Sequence, residues 1–221
     1  ADALASFENA VRLNRKHIEA QVGFATALYE LGRLEDALRR FDTALALAPQ
    51  HASAHCNRGA VLQLLQRPAD ALDAFDRALA IAPQMAEAHA NRANALRALG
   101  RYTDALAACD KALTLRPGYP AAFIFRGFAL LDIGRAQDAL ASFEAALRTN
   151  SADVRALNGR GQSLAVLGQP DQALACYDAA LARFDGDAHT HFHKALALSE
   201  LQRFEEALAS VDRVLALDPN I

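Results

Sequence analysis

The sequence predicts an all-α chain built from one repeated helical hairpin, and three observations carry that prediction. The first is composition. Of 221 residues 52 % are apolar, yet the set is dominated by Ala and Leu, with no Trp and only 7 % aromatic residues. Ala and Leu lead the ranking of helix formers, while the β-branched residues that favour strands are scarce. The second is a period: Pro49, Pro83 and Pro117 stand 34 residues apart, and the same step runs through Ser151 and Asp185 to Pro219. The third is a set of columns at that period. Ala3, Ala37, Ala71, Ala105, Ala139, Ala173 and Ala207 fill one place in every repeat. Four residues on come Phe7, Phe41, Phe75, Cys109, Phe143, Tyr177 and Val211, and three further Ala10, Ala44, Ala78, Ala112, Ala146, Ala180 and Val214. The i, i+4, i+7 spacing marks one face of a helix.

Each repeat reads in order as a first helix, a turn and a second helix. Six full repeats cover 18–51, 52–85, 86–119, 120–153, 154–187 and 188–221, with 1–17 supplying the second helix of a partial one, so that 1–221 reads as a single solenoid. In the first helix a small residue (Ala25, Gly59, Ala93, Gly127, Gly161, Ala195) is followed three on by Leu28, Leu62, Leu96, Leu130, Leu164 or Leu198. The small residue lets two helices approach and the Leu fills the space beside them. The turn is Gly32-Arg33, Gln66-Arg67, Gly100-Arg101, Gly134-Arg135, Gly168-Gln169 or Gln202-Arg203. Gly just past a helix end adopts the left-handed conformation at least cost. The Pro closing the second helix discourages its continuation.

These columns resemble the tetratricopeptide repeat family over essentially the whole chain. The places where that family usually carries a large aromatic early in the first helix hold Gln21, His55, His89, Phe123, Leu157 and His191. The resemblance implies a right-handed superhelical solenoid whose first helices line a concave groove that binds protein or extended peptide. The family's groove-facing places are the second, fifth, sixth, ninth, twelfth and thirteenth of each repeat. They hold Glu19, Val22, Thr26, Tyr29 and Glu30 in the first repeat, and Asn57, Gln63, Asn91, Asn94 and Arg97 in the next two. The fourth repeat brings Ile124, Phe125, Phe128 and Leu131, the fifth Arg155, Asn158, Gln162 and Val166, and the last His189, Phe192 and His193. The expected peptide site is Asn57, Asn91, Asn94, Arg97, Ile124, Phe125, Phe128 and Leu131. Asn side chains both donate and accept, which suits a peptide backbone, and the Phe patch would take apolar side chains.

Within the family the Asn column resembles the peptide-holding ladder of O-linked N-acetylglucosamine transferases. Here it reads Gly23, Asn57, Asn91, Phe125, Gly159, His193, so two rungs are present. A substrate-recruiting region of a larger glycosyltransferase is therefore one alternative. A self-assembly module is another, because Leu208, Val211, Val214, Leu215 and Leu217 of the last helix await a cover. The chain starts within a repeat and without Met, which reads as a piece of something longer. The carboxylate clamp found in some family members needs Lys in the groove, and these places hold none.

Charge narrows the partners. The formal net charge is −3, and Lys16, Lys111 and Lys194 are the only lysines. Nucleic acid requires a basic stripe, so neither nucleic acid nor an anionic membrane is expected. An acid recurs at Glu8, Asp42, Asp76, Asp110, Glu144, Asp178 and Asp212, and a base at Arg58, Arg92, Arg126, Arg160 and Lys194, with Phe24 the exception. Two signs recurring together predict a ladder of ion pairs more than a ligand strip. No cofactor or metal is expected, because His189 and His193, one helical turn apart, are too few for a zinc site. Cys56, Cys109 and Cys176 form no CxxC and suit a reducing, cytoplasmic setting. No run approaches the roughly 20 apolar residues that cross a bilayer. Walker, nucleophile-elbow and dinucleotide motifs are missing, and no enzymatic activity is expected.

Overall fold

The computed structural model describes residues 2–218, with side chains from residue 4 onward. The Ala3 side chain and Pro219, both assigned to repeat columns, lie outside that range. The described residues form thirteen helices and no strand. Packing divides the chain into two compact units, Ala1–Leu115 and Arg116–Ile221.

The N-terminal unit holds α1 (Asp2–Leu13), α2 (Ile18–Glu30), α3 (Leu34–Leu47), α4 (Ala52–Leu64), α5 (Pro68–Ile81), α6 (Ala86–Ala98) and α7 (Tyr102–Leu115). The C-terminal unit holds α8 (Pro120–Asp132), α9 (Ala136–Thr149), α10 (Val154–Val166), α11 (Pro170–Leu181), α12 (Ala188–Glu200) and α13 (Phe204–Leu217). The even-numbered helices are the first helices, and their starts repeat every 34 residues. In the N-terminal unit α2 pairs with α3, α4 with α5 and α6 with α7; in the C-terminal unit α8 pairs with α9, α10 with α11 and α12 with α13. Within each unit first helices also touch one another, α2 to α4 to α6, and α8 to α10 to α12.

The turn between paired helices is one motif used six times. Gly32 N–H donates to Tyr29 O and Arg33 N–H to Leu28 O, both at 2.9 Å, which satisfies two carbonyls that a helix end leaves open. Arg67 to Leu62, Arg101 to Leu96, Arg135 to Leu130, Gln169 to Leu164 and Arg203 to Leu198 repeat it. The acceptor is always the Leu of the small–x–x–Leu column, so one residue serves both the core and the cap. The turn requires a positive φ, and Gln66 and Gln202 adopt it at 57° and 59° where the other four repeats have Gly. The following Arg opens the second helix and pairs with the acid three residues on: Arg33–Asp36, Arg67–Asp70, Arg101–Asp104 and Arg203–Glu206 at 2.6 Å, and Arg135–Asp138 at 2.5 Å. Those carboxylates sit in the first helical turn, where the exposed N–H groups favour negative charge. Sequence reading treated these arginines as turn residues and did not foresee their partners.

A left-handed Gln is strained by roughly 1 kcal/mol relative to Gly, offset by the entropy that Gly adds to the unfolded chain. Gln66→Gly should therefore raise stability by about 0.5 kcal/mol, read from the urea midpoint, whereas Gly32→Gln should lower it by a similar amount.

Candidate functional site

Arg58 meets Asp42 and Arg92 meets Asp76 at 2.6 Å, Lys194 meets Asp178 at 2.7 Å, and Arg160 meets Glu144 at 3.8 Å. Each pair ties a second helix to the first helix of the next repeat. Arg126 donates to Ser142 Oγ at 2.9 Å. The base column is thus engaged in intramolecular contacts, as the recurrence of both signs predicts. Exposed pairs of this kind contribute a fraction of a kcal/mol each, about 0.2–1, so they set register more than stability.

The histidines placed where the family has an aromatic residue hold loops. His55 Nε2 bonds the Pro49 carbonyl at 2.9 Å, and His89 bonds that of Pro83 and His191 that of Asp185 at 3.0 Å. Gln21 Nε2 donates in the same way to Arg15 O at 3.0 Å. Each ring reaches back six residues to a carbonyl in the loop before its helix. Burial pushes the Cys56 thiol up to about 12 and the Cys176 thiol upward as well. Among the described residues no group of three or more His, Cys, Asp or Glu is placed to hold a metal ion. No helix among them is long and apolar enough to cross a membrane.

The expected peptide site divides between the two units. On the N-terminal unit Asn57, Asn91, Asn94 and Arg97 are all half-buried. Asn57 Nδ2 lies 3.5 Å from Thr26 Oγ1 on α2, and Gln63 Nε2 donates to the Asn91 carbonyl at 3.0 Å, joining α4 to α6. The Asn91 side chain also reaches the Cys56 thiol. Part of the hydrogen-bonding capacity of this Asn pair is therefore spent on neighbouring helices.

On the C-terminal unit Ile124 is a correction: it is 0 % exposed, enclosed in the core, and no ligand can reach it. Phe125 is half-buried beneath the Arg155 guanidinium, 5.9 Å from its ring. Phe128 packs edge-on against Phe143 of α9, with centroids 5.0 Å apart and rings at 72°, so much of its surface serves the hairpin. Asn158, grouped with the groove, is buried; its Nδ2 donates to Thr190 Oγ1 at 2.6 Å and its Oδ1 accepts from Gln162 at 2.8 Å. It is a polar bridge between α10 and α12.

This unit also carries a pocket of about 420 Å³ lined by α8, α10 and α12 together with Tyr177 of α11. Leu131, Gln162, Val166, His193 and Leu196 contribute to its walls, with Asp132 and Glu200 among the lining residues. Val166 is 67 % exposed and Leu196 49 %, so both present aliphatic surface to the pocket. The His193 ring stacks on Tyr177, centroids 6.1 Å apart and 20° between planes. Leu131, Gln162, Val166 and His193 were legible as groove-facing places. Leu196 occupies the ninth place of its repeat and was open to the same reading; Tyr177, on a second helix, was not. On α13, Leu208, Val211 and Leu215 are exposed, but Val214 is buried and does not belong to that open face.

Desolvation holds the His193 imidazole below its usual range, with the nearby His189 adding to the shift and Asp187 opposing it. Its neutral form is thus favoured in the fold, and the unfolded chain binds the proton first as pH falls below about 6.5. The stabilisation is complete above that value and is lost as pH falls through the folded-state value. The urea midpoint of the wild type should drop as pH falls below about 6.5, and His193→Gln should flatten that drop. Asp36, Asp185 and Glu206, held low first by hydrogen bonds from Arg33, Arg213 and Arg203, act only in the more acidic carboxylate range.

Family models described as tetratricopeptide repeat match residues 22–86, 65–120 and 161–220, and a second matches 96–162. No curated protein matches the sequence. Among solved structures, the Cut9–Hcn1 hetero-tetramer of the APC/C has a TM-score of 0.91 at 17 % identity, covering 97 % of this chain and 43 % of that one. The chain thus spans under half the length of that structure's matched chain. PilF of Pseudomonas aeruginosa has a TM-score of 0.75 at 21 % identity, covering 92 % of this chain and 93 % of that one. YrrB, described as a tetratricopeptide protein with an unusual peptide-binding site, has a TM-score of 0.57 at 23 % identity, covering 81 % and 93 %. At such identities the likeness concerns the fold.

Proposed function

The chain belongs to the tetratricopeptide repeat family, and on that premise we propose that it is a non-catalytic scaffold whose first-helix faces bind a protein partner through an extended peptide. The observation that carries this reading is the open pocket of the C-terminal unit, where Val166 and Leu196 stand exposed beside a half-buried Leu131. Exposed aliphatic groups around a concavity are the usual mark of a docking site. An apolar side chain of the partner enters there, while Phe125 and Phe128 extend the apolar surface along α8. On the N-terminal unit Asn57, Asn91, Asn94 and Arg97 offer amide and guanidinium groups to a peptide main chain. The peptide-binding description of YrrB supports the same use of the fold. A scaffold role also agrees with the buried thiols, whose upward shifts disfavour the nucleophilic thiolate.

Affinity capture with immobilised protein tests the assignment. A Val166→Asp, Leu196→Asp variant changes two exposed positions, so its helical circular dichroism should match the wild type. Its recovery of partners should fall by about tenfold, since charge would face an apolar anchor. Equal recovery by the two proteins would remove the pocket from the binding surface. An Asn57→Ala, Asn91→Ala variant reports on the N-terminal unit in the same experiment.

A further inference from the structure

At α2 the ion-pair ladder lacks its base, and the gap leaves a basic cleft. Where α4 carries Arg58 and α6 carries Arg92, α2 carries Phe24. Glu8 on α1 stands where Asp42 and Asp76 stand, but its register partner is now an aromatic ring. The cation comes instead from Arg40 on α3, at a place that holds Ala74 on α5 and Ala108 on α7. Its guanidinium lies over the Phe24 ring, 4.7 Å from the centroid.

The same cleft one repeat later serves as an internal reference. It encloses about 520 Å³ between α3, α4 and α5, lined among others by Asp42, Leu45, Pro49, His55, Arg58 and Arg77. A shift of 34 residues turns these into Glu8, Val11, Arg15, Gln21, Phe24 and Thr43, all of which line a cleft of about 380 Å³ between α1, α2 and α3. In the later cleft Asp42 neutralises Arg58 at 2.6 Å, so a single base, Arg77, exceeds the acids. In the earlier one Arg12, Arg15 and Arg40 face one carboxylate, Glu8. Arg12 makes a long 3.4 Å contact to Asn9, and Arg40 gives its face to Phe24. Three arginines thus line one cleft in a chain whose formal charge is −3.

A second observation points to a ligand. Gln21 lines this cleft at 2 % exposure. Its Nε2 replaces the His55 ring nitrogen in bonding a loop carbonyl, but its Oε1 has no hydrogen-bond partner. A buried acceptor left unpaired costs free energy, about 1–3 kcal/mol, until a donor reaches it. Guanidinium forks match carboxylates, and a peptide carries N–H donors alongside acidic side chains.

We propose that the α1–α2–α3 cleft binds an acidic peptide segment, Arg12, Arg15 and Arg40 taking its Asp or Glu carboxylates while Gln21 Oε1 accepts a main-chain N–H. Its residues belong to the N-terminal unit and share none with the pocket lined by α8, α10 and α12, so either can fail alone. The probe is an acetylated, amidated peptide alternating Glu and Ser, compared with its Gln–Ser counterpart and with inorganic phosphate, followed by amide chemical shifts of the full chain. The Glu peptide should bind at least about tenfold tighter than the Gln peptide, weaken as salt rises from about 0.05 to about 0.3 M, and shift amides of α1–α3. Arg12→Gln with Arg15→Gln, both exposed, should abolish the preference; Arg77→Gln in the reference cleft should leave it intact. No preference for Glu over Gln would overturn the proposal, as would equal loss in the Arg77→Gln protein. Phosphate binding as tightly as the peptide would make the cleft an oxyanion site and overturn the peptide assignment.

Discussion

In four of the six hairpins the packing centres on a buried aromatic ring of the second helix, and in three of these the ring lies directly on a glycine of the first. Phe41, Phe75, Phe143 and Tyr177 are all fully buried. A Cβ added to Gly59 would stand 2.6 Å from the Phe75 ring, one on Gly127 2.6 Å from Phe143, and one on Gly161 2.5 Å from Tyr177. Phe143 is held from two sides, since a Cβ on Gly159 of α10 would come within 2.2 Å of it. The ring therefore fixes both the pairing within a repeat and the approach of the next first helix. Close packing of this kind is sensitive to a single methylene, which explains why small residues and rings alternate at a constant period. Caps, ion pairs and loop histidines then act on a geometry that the rings have already set.

That dependence explains why so much was legible. A fixed period assigns each residue an environment, so the helix starts, the turns, the small–ring contacts and the Arg–acid ladder all follow from column membership. The binding surface follows less well. The fifth place was read as groove-facing, yet Cys56, Ile124 and Asn158 at that place are all buried. A column containing a cysteine and an isoleucine could have been read as interior. The Asn158–Gln162–Thr190 bridge could not, because it depends on rotamers of three side chains in two repeats. Phe128 was an expected ligand contact; its edge-on contact with Phe143 comes from the ring's direction, which spacing alone does not give.

Departures from the columns carry the information specific to this chain. Replacing a base by Phe24 and an Ala by Arg40 keeps a cation beside the first helix but changes its partner from a carboxylate to a ring. Replacing His by Gln at residue 21 preserves the loop bond and adds an unpaired acceptor. In the C-terminal unit, Val166 at an exposed place turns a polar helix face into one wall of a pocket. In a repeat architecture each element contacts chiefly its neighbours, so such changes alter one place and leave the rest of the stack standing.

The central claim is that rings on small residues, more than the charge ladder, hold the repeats together. Urea denaturation of Phe75→Ala and Arg92→Ala, followed by circular dichroism, tests it within one pair of adjacent repeats. The account predicts a loss of about 3–5 kcal/mol for Phe75→Ala and less than about 1 kcal/mol for Arg92→Ala. Equal losses, or a larger one for Arg92→Ala, would contradict it.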